Sequence, residues 1–250
     1  MARAVREWVA DAIYHVFSRG SNRQAIFLND GDYREFEMIF ASAVRKHELD
    51  CFGWSLMPNH WHGVLRCPPA GLSRLMKEVN HRYALRFDRR WGRTAHLFAN
   101  RFGAVLQTTE RQFLWTLRYV VRNPVEAGIC GSPYDTRWTS FAATAGIAPA
   151  PEYLRVDQIL DCFSADRDTA RRRYIDFVVG VPVEFDGQDF SGLWSSCEPC
   201  RRNSLSEPDP TTAAGESIGT ELCQVRLDRK RCLTPLLRPP AETASLESAP

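Results

Sequence analysis

Residues 50–67 constrain this chain most. Two runs rich in β-forming side chains, Asp50 to Met57 and His60 to Cys67, are separated only by Pro58-Asn59. Pro and Asn favour a tight turn, so the stretch reads as an antiparallel hairpin. Successive side chains of a strand alternate faces, so His60 and His62, at the start of the second arm, project together while Trp61 points the other way. Two neutral imidazoles on one face can chelate a divalent metal, but they supply only part of a coordination shell. The rest of that shell must come from elsewhere in the chain.

The neighbouring sequence suggests the setting. Ala12 to Arg19 reads as a strand that ends in the turn residues Gly20-Ser21-Asn22. Asp30 or Asp32 can cap a helix on which Phe36, Ile39, Phe40, Ala43 and Val44 recur at helical spacing. After the break at Pro68-Pro69-Ala70-Gly71, Leu72 to Arg90 is compatible with a largely amphipathic helix, its apolar positions being Leu72, Leu75, Met76, Val79, Tyr83, Leu85 and Phe87. Arg101 to Thr108 reads as a fourth strand. Thr109, with Gln112 in a capping-box position, starts a helix through Asn123, and Pro124 is expected to end it. The order βαββαβ followed by a helix predicts an α+β fold, an antiparallel sheet with helices on one side.

Beyond Ser132 the character changes. Val156 to Phe163 and Asp166 to Val179 read as two short helices forming an appendage, and after Gly192 the chain carries too little apolar surface to offset ordering entropy, so a disordered tail is expected. Cys197, Cys200, Cys223 and Cys232 have irregular spacing that argues against a four-cysteine zinc site. The N-terminal residues lack a signal peptide's apolar core, and no stretch approaches the roughly 18 apolar residues of a membrane span. A soluble, cytoplasmic protein with reduced cysteines and no membrane partner is the expectation.

Charge narrows the substrate. Residues 66–122 hold twelve Arg and Lys against three acids, a local +9 inside a chain whose formal charge is +2. Such a concentration fits a phosphate backbone, although a solvated helical face would look the same. For a phosphodiester, a hard cation at His60 and His62 would act as Lewis acid. Tyr119 offers a hydroxyl able to attack phosphorus and become covalently attached. Asn123, four residues on, shares its helical face and offers an amide oxygen as a further ligand. Each has an ordinary explanation too: a tyrosine covering the sheet, and Asn-Pro as a helix stop.

The conjunction is strengthened by a resemblance. Tyr14-His15-Val16 with Arg19-Gly20, then Leu56-Met57-Pro58-Asn59-His60-Trp61-His62, Leu72-Ser73-Arg74-Leu75-Met76-Lys77, Asn100-Arg101-Phe102, and Arg118 to Gly128 resemble the REP-associated tyrosine transposases, a group of single-tyrosine HUH transposases. The resemblance covers residues 1–140 and implies a ferredoxin-like HUH nuclease fold. It implies His60, His62 and Asn123 as ligands of magnesium or manganese, with Tyr119 as nucleophile. Departures occur at Val121 and Arg122, where the family often has an acidic or polar residue, and at Glu126, which replaces a common arginine.

The expected plan is therefore a nuclease domain at 1–140, a helical appendage at 141–190 and a tail at 191–250. The expected activity is that of a metal-dependent single-stranded DNA endonuclease and strand transferase, forming a 5′-phosphotyrosine on hairpin-forming repeat DNA. Arg74, Lys77, Arg82, Arg86, Arg89 and Arg101 are candidates for holding the DNA backbone. The appendage is expected to cover the DNA-binding face. A replication initiator or relaxase shares this chemistry, and a non-catalytic single-strand binder shares the fold. Either a monomer or a homodimer is compatible with the sequence.

Overall fold

The computed structural model describes residues 8–68, 71–99 and 101–180; the expected tail and its cysteines lie outside the described residues. Strands β1 (Ile13–Arg19), β2 (Asp50–Met57), β3 (His60–Arg66) and β4 (Gly103–Gln107) form one antiparallel sheet in the order β2-β3-β1-β4. The β2–β3 hairpin turns through Pro58-Asn59, with Met57 opposite His60. Together with α1 (Asp30–Lys46) and α2 (Gly71–Trp91), the strands follow the expected α+β order of a ferredoxin-like sheet.

Helices α1 and α2 pack on one face through the apolar positions that the periodicity marks. Trp61 is fully buried there, its ring centroid 5.1 Å from Phe36 and 5.7 Å from Phe40. Its indole nitrogen donates to Asn80 Oδ1 on α2 (3.3 Å), while Asn80 Nδ2 donates to Ser18 Oγ on β1 (2.7 Å). Leu85 does not join this layer; it is exposed. The α1 cap also differs from expectation. Asn29 accepts from Gly31 and Asp32 N–H, and Asp32 closes a capping box. Asp32 serves as N3 because its carboxylate reaches back to Leu28 and Asn29 N–H.

The expectation of helices on one side describes α1 and α2 only. Helix α3 (Glu110–Glu126) lies across the opposite face. Phe113, Leu114, Leu117, Val120 and Val121 form its buried stripe. Close approach depends on Gly53, where a Cβ would sit 3.1 Å from both Leu117 Cδ2 and Ser140 Oγ. Thr109 caps α3 as expected, accepting from Gln112 N–H, but Pro124 does not end it. Proline near the end of a helix forfeits its own N–H bond without unwinding the last residues, so α3 continues past it to Glu126, with Ala127 as C-cap and Gly128 beyond at φ +67°.

The chain past residue 140 builds onto the same core. Thr139 bridges Ser55 and extends the β2 edge, with Leu56 N–H donating to Trp138 O (2.8 Å) and Ser140 N–H to Trp54 O (3.0 Å). Short helices α4 (Phe141–Thr144) and α5 (Val156–Asp161) and the longer α6 (Arg167–Val179) follow. Helix α6 packs on the outer side of α3: Trp115 meets Phe177, Arg118 donates to Phe177 O and Gly180 O, and Arg122 to Val178 O. The appendage thus backs the catalytic-helix candidate instead of covering the histidine face.

Candidate active site

Strand register places the sequence-predicted residues together. His60 lies opposite Arg19 on β1, and His62 opposite Phe17 on β1 and Ser55 on β2. Opposite residues of antiparallel strands share a face, so these side chains and His15 look towards α3. Because the apolar stripe of α3 is held on the sheet, Tyr119 and Asn123, one turn apart, meet the histidines. The Tyr119 ring stands edge-on to His62 (5.7 Å between centroids) and His15 (6.1 Å).

Hydrogen bonds define the state of each imidazole. Asn59 Nδ2 donates to Arg23 O (3.1 Å), which turns Asn59 Oδ1 towards His60 Nδ1 at 2.7 Å. A carboxamide oxygen can only accept, and the Asn59 contact is the shorter of the two that His60 makes, so the Nδ1–H tautomer is the one with the better acceptor, and it leaves Nε2 as a lone pair. That lone pair faces Asn123 Oδ1 at 3.3 Å. Asn123 also hydrogen-bonds the Tyr119 hydroxyl in a sense that favours phenolate, so the amide nitrogen is its donor. His62 Nδ1 lies 2.9 Å from His15 Nε2, and His62 Nε2 is buried with no hydrogen-bond partner among the described residues.

Burial sets the electrostatics. Desolvation lowers His15 to about 3, and desolvation, reinforced by Arg19, lowers His60 to about 4. His62 is held well below its ordinary value by desolvation first, then by His60, His15 and Arg19. All three rings are therefore neutral at pH 7. Tyr119 is pushed above the usual phenol range by burial, with the Asn123 bond opposing.

The donor set fits a hard divalent cation. His62 offers a buried imidazole nitrogen with no hydrogen-bond partner among the described residues, its ring centroid is 4.9 Å from that of His60, and His60 Nε2 lies 3.3 Å from the Asn123 amide oxygen, so two imidazoles and an amide oxygen stand close together. Among the described residues no three His, Cys, Asp or Glu side chains form a closed ion cage.

The basic candidates are distributed differently. Arg74, Lys77, Arg82, Arg86 and Arg89 belong to α2, on the helical layer remote from the histidine face. Arg82 pairs with Glu78 (3.0 Å) and Arg86 with Glu35 (3.5 Å). Arg101 is exposed just ahead of β4. His15 sits at the heart of the site, yet sequence reading gave it no role; its signals were its place in Tyr14-His15-Val16 and its alternation with Phe17 and Arg19 on β1.

Structural comparison finds likenesses to several solved proteins. One is to the REP-associated tyrosine transposase bound to a REP hairpin (TM-score 0.48, 15% identity, covering 67% of this chain and 93% of that one). Another is to a putative transposase from Deinococcus radiodurans (TM-score 0.35, 17% identity, 48% and 95%). A third is to a tRNA(His) guanylyltransferase from Saccharomyces cerevisiae (TM-score 0.38, 11% identity, 82% and 85%). A comparison with curated protein sequences returns no match. Residues 8–124, which hold His15, both clustered histidines, Tyr119 and Asn123, match the family described as transposase IS200 like, so this stretch of the chain is similar to the IS200-like transposases.

Proposed function

We propose that this protein is a transposase that cleaves and rejoins single-stranded DNA through Tyr119, with the nucleophile in the same chain as its metal ligands. The observation that carries the reading is the meeting of Tyr119 and Asn123 from α3 with His60 and His62 from β3, including a His62 Nε2 that has no hydrogen-bond partner among the described residues. His60 Nε2, His62 Nε2 and Asn123 Oδ1 would hold magnesium or manganese. Bound there, such a cation would polarise a non-bridging phosphoryl oxygen as Lewis acid.

The remaining steps belong to the chain's own groups. Tyr119 Oη attacks the scissile phosphorus, its proton leaving to solvent or a neighbouring base, and the 3′-oxygen departs. The products are a 5′-phosphotyrosine and a free 3′-hydroxyl. The phosphodiester is exchanged, not hydrolysed, so a 3′-hydroxyl from another strand can reverse the step. Asn123 orients the phenol through its amide nitrogen while its oxygen faces His60. Hairpin-forming repeat DNA is the proposed substrate on the strength of the sequence resemblance, and the exposed Arg101 is proposed to hold its backbone.

The test uses the full chain with labelled single-stranded hairpin DNA and manganese. A denaturation-resistant protein–DNA adduct is expected, and it should vanish in Tyr119→Phe. An adduct that persists in Tyr119→Phe removes Tyr119 as the nucleophile.

A further inference from the structure

We infer that His15 is a positioning residue: its Nε2 accepts the His62 Nδ1 proton and so fixes His62 in the tautomer and orientation that present Nε2 to a divalent cation. The inference rests on the metal-binding reading of His60 and His62.

The geometry allows two directions for the 2.9 Å contact between His15 Nε2 and His62 Nδ1. If His15 donated, neutral His62 would carry its remaining proton on Nε2. That atom is buried and has no hydrogen-bond partner among the described residues, so an N–H there would be a stranded donor unable to ligate anything. If His62 donates, its Nε2 becomes a lone pair, on a ring that stands edge-on to His60 with centroids 4.9 Å apart. His60 shows the same construction with a different partner: Asn59 Oδ1 takes its Nδ1 proton and leaves Nε2 bare. The two imidazoles are thus held alike, one from the turn that opens β3 and one from β1. Outer partners of this kind fix ligand orientation in metal sites generally.

Register explains why His15 can do this. His15 is opposite Val64, one side-chain pair along from Phe17 and His62 on the same face, so it reaches His62 diagonally. The rings lie 5.0 Å apart with planes 24° from parallel. Phe17 leans against both (5.5 and 5.9 Å), which limits their rotation.

Manganese binding to the full chain, read by the loss of free Mn²⁺ signal in electron paramagnetic resonance, tests the inference alongside imidazole ¹⁵N spectra of histidine-labelled protein. Wild type should bind Mn²⁺, and in the metal-free protein His62 should show the Nδ1–H tautomer. His15→Leu should weaken Mn²⁺ binding on the order of ten- to a hundred-fold. His15→Gln, whose carboxamide oxygen can take the same proton, should recover most of that loss. A wild-type protein that binds no Mn²⁺ overturns the metal reading and the inference with it. Wild-type binding with unchanged affinity in His15→Leu, or no recovery in a folded His15→Gln, overturns the inference alone. The tautomer spectrum needs no variant to fold, and an Nε2–H His62 in wild type sinks the proposal by itself.

Discussion

His60 Nε2 and Asn123 Oδ1 face each other at 3.3 Å across the sheet–helix interface. On the far side of the ring Asn59 Oδ1 accepts from His60 Nδ1 in the tautomer that leaves Nε2 a lone pair, and the Asn123 amide nitrogen is turned to Tyr119. Asn123→Ala is therefore expected to raise the Mn²⁺ concentration for half-maximal cleavage on the order of ten-fold. Asn123→Asp keeps an oxygen ligand and adds charge, so it should need no more metal than wild type. A metal titration of adduct formation decides; equal midpoints for Asn123→Ala and wild type would remove Asn123 from the coordination shell.

Three buried neutral histidines make stability depend on pH. Folded His15 titrates at about 3 and His60 at about 4, and His62 is also lowered, against 6.5 for an exposed imidazole. Between those values the unfolded chain binds more protons, so the stability present above pH 6.5 is lost as pH falls towards 4. Metal-free protein should melt at a lower temperature at pH 5 than at pH 7.5, and His15→Gln should flatten that slope. Calorimetry at the two pH values checks both statements, and equal melting temperatures in wild type contradict the assignment of neutral rings.

Much of this site was legible because it rests on short-range rules. Alternation alone turns His60 and His62 to one face, and a four-residue step puts Tyr119 and Asn123 on one helical side. The errors have local physical causes. Asn29, Asp30 and Asp32 can all cap, so composition could not choose among them; Pro124 reads as a stop although a last-turn proline costs one hydrogen bond. His15 depends on the pairing of β1 with β3, forty-seven residues apart, which no local pattern encodes. The placement of α6 behind α3 likewise depends on Arg118 and Arg122 reaching carbonyls some sixty residues ahead.

Gly103 is dictated by an aromatic neighbour. A Cβ there would lie 2.0 Å from the Phe17 ring, which itself touches His15 and His62. Gly103→Ala should destabilise the fold by about 1–3 kcal/mol through overpacking and disturb the histidines with it. Adding Phe17→Ala removes the clash, so the double variant should be less unstable than the two single losses predict. Chemical denaturation of the four proteins gives the cycle, and strict additivity would show that the ring moves aside without cost.

The cations differ in how much of their charge is already met. Arg82 and Arg86 face Glu78 and Glu35, whereas Arg101 is exposed beside the strand edge. Arg101→Ala should weaken single-stranded DNA binding and lower the slope of log affinity against log salt by about 1. Arg82→Ala and Arg86→Ala should change that slope less. Binding isotherms at several salt concentrations separate the cases; a larger effect at Arg82 or Arg86 would put the DNA on the α2 face.

Residues 151–180 support the site from behind. Leu160, Ala170 and Val178 are fully buried, Tyr174 is nearly so, and Arg155 binds Cys51 O and Asp50 at the β2 edge. Removing them would expose the outer face of α3 and leave the buried Arg118 guanidinium without the Phe177 and Gly180 carbonyls it donates to. A chain ending at Ala150 should therefore melt well below the full protein and give less adduct, the reverse of what a removable cover over the DNA face would give. Arg118→Ala, losing two charged hydrogen bonds, should cost about 2 kcal/mol by itself. Thermal melts with adduct yields on the same samples test the point: a truncated chain that melts like wild type and cleaves faster would show that α5 and α6 cover the DNA face and contribute little to the core.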